Sequence, residues 1–302
     1  MDRESNDGQQ QSGISMPSNP LISIIIPYHN LEAYISETVQ SALRQTYPNL
    51  EIIVVDDGSA VPVTSCLSGP QTVKILRTEN RGCAAARNFG FAHSSGEFLI
   101  FLDGDDLLMP GAIEAHLRAF ERKPEATLSF GAVRIIDEFG LEKRAAHVCR
   151  PRENYFPMLL ESNPIECPGG AMIRRGAFEE AGLFDERLRN AEDYHLYLRL
   201  ARHHSFVQHA FCVVEYRKHS GGKSQQKERM LATVMTVLDQ VERSEDLSPS
   251  EHRRLLHGRR RWLHTFRPKD TLSYRIRTLY YGFRAMLTVS VSQYFRGDRN
   301  VY

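Results

Sequence analysis

Apolar and polar positions follow two rhythms along the first half of the chain. Short β-branched runs, ISIIIP at 22–27, EIIVVDD at 51–57, VKILRT at 73–78 and EFLIFLD at 97–103, each stop at polar or turn residues. Runs of this length and composition predict buried strands. Between the first two, LEAYISETVQSALRQTY sets Tyr34, Ile35, Thr38, Val39, Ala42 and Leu43 at helical spacing. CAAARNFGFAHS and PGAIEAHLRAFERK follow the third and fourth strands as helices. Pro110 opens the latter, where a missing N–H costs nothing. Strands alternating with helices predict a layered α/β domain with a mainly parallel sheet.

Beyond about residue 127 the rhythm is mixed. TLSFGAVRIID reads as a strand, PGGAMIRR as a turn entering a strand, NAEDYHLYLRLARH as a helix and SFVQHAFCVVEYRKH as further strands. QKERMLATVMTVLDQVER carries Met230, Leu231, Val234, Met235, Leu238 and Val241 on one helical face. The remainder to the C-terminus reads as helical and basic, and no internal repeat is visible.

The 302 residues have room for one large domain, or for one domain plus an extension. A 41% hydrophobic and 25% charged composition is that of a soluble globular protein. Charge is uneven: from Glu251 to Tyr302 twelve Arg and Lys face three acids, leaving +9 there and −8 in the rest, where 26 bases face 34 acids. Such a tail meets an anionic partner, a membrane surface or the acidic body itself, or it is a solvated basic helix pair. Five scattered cysteines without C-x-x-C spacing read as reduced structural thiols, which points to the cytosol. The polar residues 1–19 lack the order of a signal peptide and read as a disordered leader. No run reaches the length of a spanning helix. LYYGFRAMLTVSVSQYF at 279–295 is interrupted by Arg284; it reads as a docking helix, with an interfacial helix as the alternative.

The acids sit at strand ends. Asp56 and Asp57 close the second strand; Pro27, Tyr28, His29 and Asn30 close the first; Asp103, Asp105 and Asp106 fall within four positions after the fourth. Ligands of parallel α/β sheets collect beyond these ends. Two carboxylates about 5 Å apart repel by about 3 kcal/mol at an effective dielectric of 20, so the crowding needs a counter-charge. Carboxylates beside a glycine suit Mg2+ or Mn2+, and such a cation bridging to a diphosphate would offset the charge. Taken singly, D-G-D-D and DDGS are also ordinary turn chemistry, with Asp106 placed to cap the following helix. His29 reads as a solvated loop residue.

The ordered set SIIIPYHN, IIVVDDGS, ENRGCAAARNFG, FLDGDD and AEDYHLYLR resembles glycosyltransferase family 2 over roughly residues 20–222. These are inverting enzymes with a GT-A fold: a Rossmann-like, mixed and mainly parallel sheet flanked by helices. The resemblance implies a domain at 20–225 and leaves 226–302 as a basic helical C-terminal extension. It implies that Asp57 contacts the nucleotide base in a pocket shaped by Pro27 and Tyr28, and that Arg87 and Asn88 border the nucleotide and sugar. It gives Asp103 to the ribose or the metal, Asp105 to the metal as principal ligand, and Asp193 the role of catalytic base, with Glu192 beside it. His219 of YRKHSGGKS would approach the metal or diphosphate, and Gly169 and Gly170 would form a loop near donor sugar and acceptor. D-G-D-D admits either Asp103 with Asp105 or Asp105 with Asp106 as the metal pair; the first is preferred.

The implied reaction is metal-dependent transfer from a nucleotide sugar, UDP being the commonest carrier and dTDP or GDP the alternatives. The acceptor is a hydroxyl of a saccharide or lipid-linked molecule, in cell-surface polysaccharide or glycoconjugate synthesis, at the cytoplasmic face of a membrane. The competing reading is a non-catalytic sugar-nucleotide or glycan-binding protein on the same fold. A P-loop is excluded because G-x-x-x-x-G-K-[ST] is absent. A phosphoacceptor signalling domain would leave AEDYHLYLR without a role. The histidines lack a zinc-ligand pattern. HRRLLHGRRRWLH at 252–264 is basic, yet it belongs to no recognisable nucleic-acid fold, so no nucleic-acid partner is expected.

Overall fold

The computed structural model of the chain describes residues 18–67, 72–222 and 226–266. Almost all of the expected leader, the segment 279–295, and Lys223 and Ser224 of GGKS therefore lie outside the described residues. The first half follows the predicted rhythm: β1 (Ile22–Tyr28), α1 (Ile35–Leu43), β2 (Leu50–Asp57), β3 (Val73–Thr78), α2 (Cys83–Ala92) and β4 (Phe98–Phe101). These four strands run parallel in the order β3-β2-β1-β4.

The second half adds β5 (Leu107–Leu108), α3 (Ala112–Arg122), β6 (Ala126–Asp137), β7 (Glu142–His147), α4 (Phe156–Leu159), β8 (Ala171–Arg174), α5 (Arg175–Glu180), α6 (Glu192–His203), β9 (Ser205–Lys218), α7 (Lys227–Ser244) and α8 (Pro249–Thr265). β8 joins antiparallel to β4, β6 antiparallel to β8, β9 parallel to β6, and β5 antiparallel to β9. The sheet is thus mixed and mainly parallel in its nucleus, as expected.

Three local expectations change. SFVQHAFCVVEYRKH forms one strand, β9, whose pairing with β6 shifts register along its length. α1 ends early and leaves Leu43 38% exposed, so only Ile35, Thr38, Val39 and Ala42 of the predicted face are buried. α3 begins at Ala112, after a left-handed Gly111, so Pro110 lies just before the helix.

Period-two alternation covers the sheet on both faces. Ile22, Ile24 and Ile26 pack with α1 and α3 residues such as Val39 and Phe120. Ile25, Leu99 and Phe101 share the opposite core with α6, α7 and α8, through Leu198, Leu238 and Leu255 among others. The C-terminal helices are therefore docked on the body. Ser248 and Glu251 form a reciprocal cap at the start of α8. At Gly258 an added Cβ would fall 2.0 Å from the Leu160 carbonyl oxygen, so only glycine lets α8 lie this close to the chain after α4. Among the described residues no helix is long and apolar enough to cross a membrane.

Candidate active site

The parallel strands deliver their polar ends to one edge of the sheet. Asp56 is structural: its carboxylate accepts from Ser59 N (2.9 Å), Val63 N (3.1 Å) and Arg77 Nη1 (2.9 Å) and so shapes the loop after β2. Asp57 reaches the other way, its two oxygens accepting from Arg81 N (2.8 Å) and Gly82 N (2.9 Å). It pins the loop that enters α2. His29 Nδ1 lies 2.9 Å from the Asp57 carbonyl oxygen, which can only accept, so Nδ1 carries the proton. Nε2 is then free to accept from Asn80, whose amide nitrogen is 3.0 Å away. His29 is exposed, as a solvated loop residue would be, and is held by these hydrogen bonds. Tyr28 is fully buried, its hydroxyl donating to Val61 O at 3.0 Å.

After β4 the chain turns under Pro27. A Cβ on Gly104 would stand 2.8 Å from the Pro27 carbonyl oxygen, so the glycine in D-G-D-D brings the acidic turn against the end of β1. Oxygens of Asp103, Asp105 and Asp106 lie within 4.8 Å of one another, a group that can hold a metal ion. The charge does not wait for a cation to be offset. Asp103 accepts from Arg87 Nη2 at 2.5 Å, Asp105 pairs with His219 Nε2 at 2.9 Å, and Asp106 accepts from the Arg217 backbone N–H at 2.8 Å. Burial, then the charge of Asp103, raises the Asp105 pKa above the usual carboxylate range. Burial and the neighbouring acids hold Asp106 well above it. Arg87, His219 and the Arg217 backbone N–H are thus the resident partners of the three acids.

Asp106 does not cap the next helix. It is fully buried and bonded to β9, while Gly111 precedes α3 without a side-chain cap. The reason is topological: β9 runs beside β5 and brings Arg217 over the acidic turn. Arg217 Nε donates to Asp105 O (2.9 Å), and Nη2 to Glu37 (2.7 Å), with the guanidinium against the Tyr34 ring.

A left-handed Ala191 turns the chain into α6 and sets Glu192 and Asp193 in its first turn. Glu192 is 6% exposed and accepts from Arg87 Nη1 at 2.8 Å. Asp193 keeps partial access to solvent. Burial first, then the Glu192 charge, against an opposing pull from Arg87, pushes its pKa up to about 7.

A cavity of about 620 Å³ joins these groups. Pro27, Tyr28, Asp57, Arg87, Asp103, Asp105, Asp193 and His219 all line it. Asn88, Gly169 and Gly170 do not. Asn88 is spent on packing: it donates to Phe184 O (2.9 Å) and Glu186 (3.1 Å) and accepts from Phe184 N (3.1 Å). Gly169 and Gly170 lie in the core, where a Cβ would stand 3.0 Å from Leu102 and 3.2 Å from Val133, respectively. Glu166, Arg189, Arg217 and Arg229 also line the cavity and were missed by sequence reasoning. Only Arg217 had a signal, as a base two residues before His219 at a strand end.

A mainly parallel sheet with its acids gathered at the strand ends places the chain among GT-A-fold proteins. S. aureus TarS 1-349 in complex with UDP-GlcNAc matches with a TM-score of 0.64 at 17% identity, over 89% of this chain and 81% of that one. The mannosyltransferase PcManGT from Pyrobaculum calidifontis, in complex with GDP-Man and Mn2+, matches with a TM-score of 0.62 at 17% identity, over 90% and 86%. Both speak for the fold. Residues 23–182 match the family model for glycosyl transferase family 2. An uncharacterized glycosyltransferase of Rickettsia prowazekii is 32% identical over 240 residues, 76% of this chain and 70% of that protein. A longer one from Rickettsia felis is 33% identical over 193 residues, 61% of this chain and 32% of its own length. The chain belongs to glycosyltransferase family 2 and is a glycosyltransferase.

Proposed function

We propose that the protein is a metal-dependent inverting glycosyltransferase, moving a sugar from a nucleotide diphosphate, UDP in the first instance, to a hydroxyl of a saccharide or lipid-linked acceptor. The observation that carries this reading is that one cavity is lined both by Asp103 and Asp105 with His219 and by Asp193, a separate carboxylate whose pKa is near 7. Carboxylate oxygens with an imidazole form a donor set for Mn2+ or Mg2+. Asp105 and Asp103, with His219, would hold the ion; Asp106 lies behind them, bonded to β9. A bound cation would neutralise the diphosphate and stabilise its oxygens as leaving group.

Asp193 accepts the acceptor hydroxyl proton while that oxygen attacks the anomeric carbon. The bond from that carbon to the diphosphate oxygen breaks with its electron pair, and configuration inverts. A base near pH 7 is matched to this task. Asp57, through the 81–82 loop it pins, and Pro27 and Tyr28 would shape the base pocket.

Residues 20–225 form the transferase body in this reading and 226–302 its extension, of which 226–266 are described and docked on the body while the basic stretch 267–302 lies outside the described residues. The exposed face of α8, with Arg254, His257, Arg260 and Arg261, fits an anionic membrane surface on the cytoplasmic side, where a lipid-linked acceptor for polysaccharide or glycoconjugate synthesis is presented. A screen of sugar nucleotides with Mn2+, reading thermal shift and nucleotide release, tests the reading. Failure of every donor with wild-type protein would end it, and binding without turnover would leave a sugar-nucleotide-binding protein.

A further inference from the structure

Phe139 and Leu141 are the most exposed large apolar side chains among the described residues, at 80% and 64%. They stand at the tip of the β6–β7 hairpin, two residues apart. The tip is well ordered by hydrogen bonds: Asp137 Oδ1 accepts from the backbone N–H groups of Phe139 (3.1 Å) and Leu141 (2.9 Å), and Asp137 N donates to Leu141 O (2.9 Å). Two apolar side chains held outward on a fixed turn are paid for in advance, because little ordering entropy remains to be lost on contact. Every residue of β7 is exposed as well.

The hairpin is rooted in the cavity rim. Arg217, which holds the acidic turn, donates from Nη1 to Glu138 O at 3.2 Å. Arg144 of β7 pairs with Glu166, which lines the cavity. Five residues before Glu166, Glu161 accepts from Arg254 Nη1 of α8 at 2.6 Å, and His257 stands 3.6 Å from it. The loop carrying Glu161 and Glu166 is therefore tied by ion pairs both to β7, at Arg144, and to α8, at Arg254.

We propose that the β6–β7 tip is a membrane-insertion element, seating Phe139 and Leu141 in the interface of an anionic bilayer while α8 faces the lipid headgroups. The tip carries three acids (Asp137, Glu138 and Glu142) against two bases (Lys143 and Arg144), so it supplies apolar contact alone and the charge complementarity must come from α8. This rests on the membrane-contact reading above and adds a second element to it. Its consequence is orientation: two separate contacts, each tied by ion pairs to the loop that carries cavity-lining Glu166, fix which way the active site faces.

The test uses the full chain and sedimentation with vesicles of phosphatidylcholine, alone or equimolar with phosphatidylglycerol. Phe139→Ser with Leu141→Ser is expected to lower partitioning onto the anionic vesicles by at least about tenfold. Swapping the two residues, Phe139→Leu with Leu141→Phe, should retain it. Arg254→Gln, Arg260→Gln and Arg261→Gln together should weaken binding in a salt-dependent way, which reports the α8 contact separately. Undiminished binding by the serine variant overturns the proposal, as does absence of vesicle binding by wild-type protein. A tip that changes only the oligomeric state would also overturn it, in favour of a second copy as occupant. Donor turnover by the serine variant is measured alongside: tip-dependent vesicle binding without turnover in any form, wild type included, would sink the transferase reading and leave the insertion element standing.

Discussion

Arg87 donates from Nη1 to Glu192 across 2.8 Å, joining α2 to the first turn of α6. Its Nη2 reaches Asp103 at 2.5 Å, so one buried guanidinium spans the acidic turn and the segment that carries Asp193. Arg87 thus touches both halves of the site.

Removing it leaves two acids without their cation. Losing one partner of a buried pair costs about 3–5 kcal/mol, so Arg87→Ala should lose about that much in urea unfolding. Arg87→Lys keeps the charge but offers no planar fork for two carboxylates. It should retain more stability than the alanine variant and still turn over more slowly than wild type.

Asp193→Asn should lower kcat by about 10² to 10⁴ with the fold intact, the usual contribution of a positioned base. The same variant should be more stable above neutral pH. An unfolded aspartate ionises near 3.9, whereas Asp193 in the folded chain does so at about 7. Stability is therefore whole below about pH 4 and declines as pH rises toward 7. The asparagine escapes that decline. Set against its behaviour at pH 4, a gain of up to about 4 kcal/mol at pH 8, or roughly 8–16 °C in Tm, is the expected size.

The same pKa sets the pH profile. Below 7 the carboxyl of Asp193 is protonated and cannot accept the acceptor proton, so kcat/KM should climb with pH and level off above about 7. A rising limb centred near pH 4 would show that Asp193 titrates normally or is not the base.

Mn2+ should stabilise the wild-type protein, by about 2.7 kcal/mol at a hundredfold excess over Kd. That corresponds to a rise of roughly 5–10 °C in Tm, reversed by EDTA. Asp105→Asn should abolish the shift. A wild-type Tm indifferent to Mn2+, Mg2+ and EDTA would count against a metal at the acidic turn.

Gly104→Ala tests the turn itself. The added methyl meets the Pro27 carbonyl at 2.8 Å. Overpacking of this kind costs about 1–3 kcal/mol, and the displaced turn should raise the apparent Kd for Mn2+ more than it lowers stability.

The repeating strands and helices were legible because burial on one or two faces writes a period into the sequence. The acids at 57, 103 and 105 were legible because strand ends are local features, whereas Asp193 was singled out only by the family resemblance. Pairings far apart in sequence were not. Arg87 and Glu192 are 105 positions apart, and nothing near Arg87 distinguishes a bridging guanidinium from one on the surface. Asp106 looked like a cap because its true partner, the backbone of Arg217, is 111 residues away. β7 left no signal because a strand exposed at every position has no alternation to read. Gly169 and Gly170 were named only through the resemblance, and their packing against Leu102 and Val133 is again a contact distant in sequence.

The docking of α8 decides how its surface can be studied. Leu255, Leu256 and Leu263 are completely shielded from solvent, and burying a leucine is worth about 1.5–3 kcal/mol. A chain cut at Ser250 would forfeit a sum comparable to the 5–15 kcal/mol that holds an ordinary protein folded. It would then stick to vesicles, or to itself, through freshly bared core. Truncation would report collapse; recolouring the outer charges while sparing the leucines beneath is the experiment that asks about adhesion.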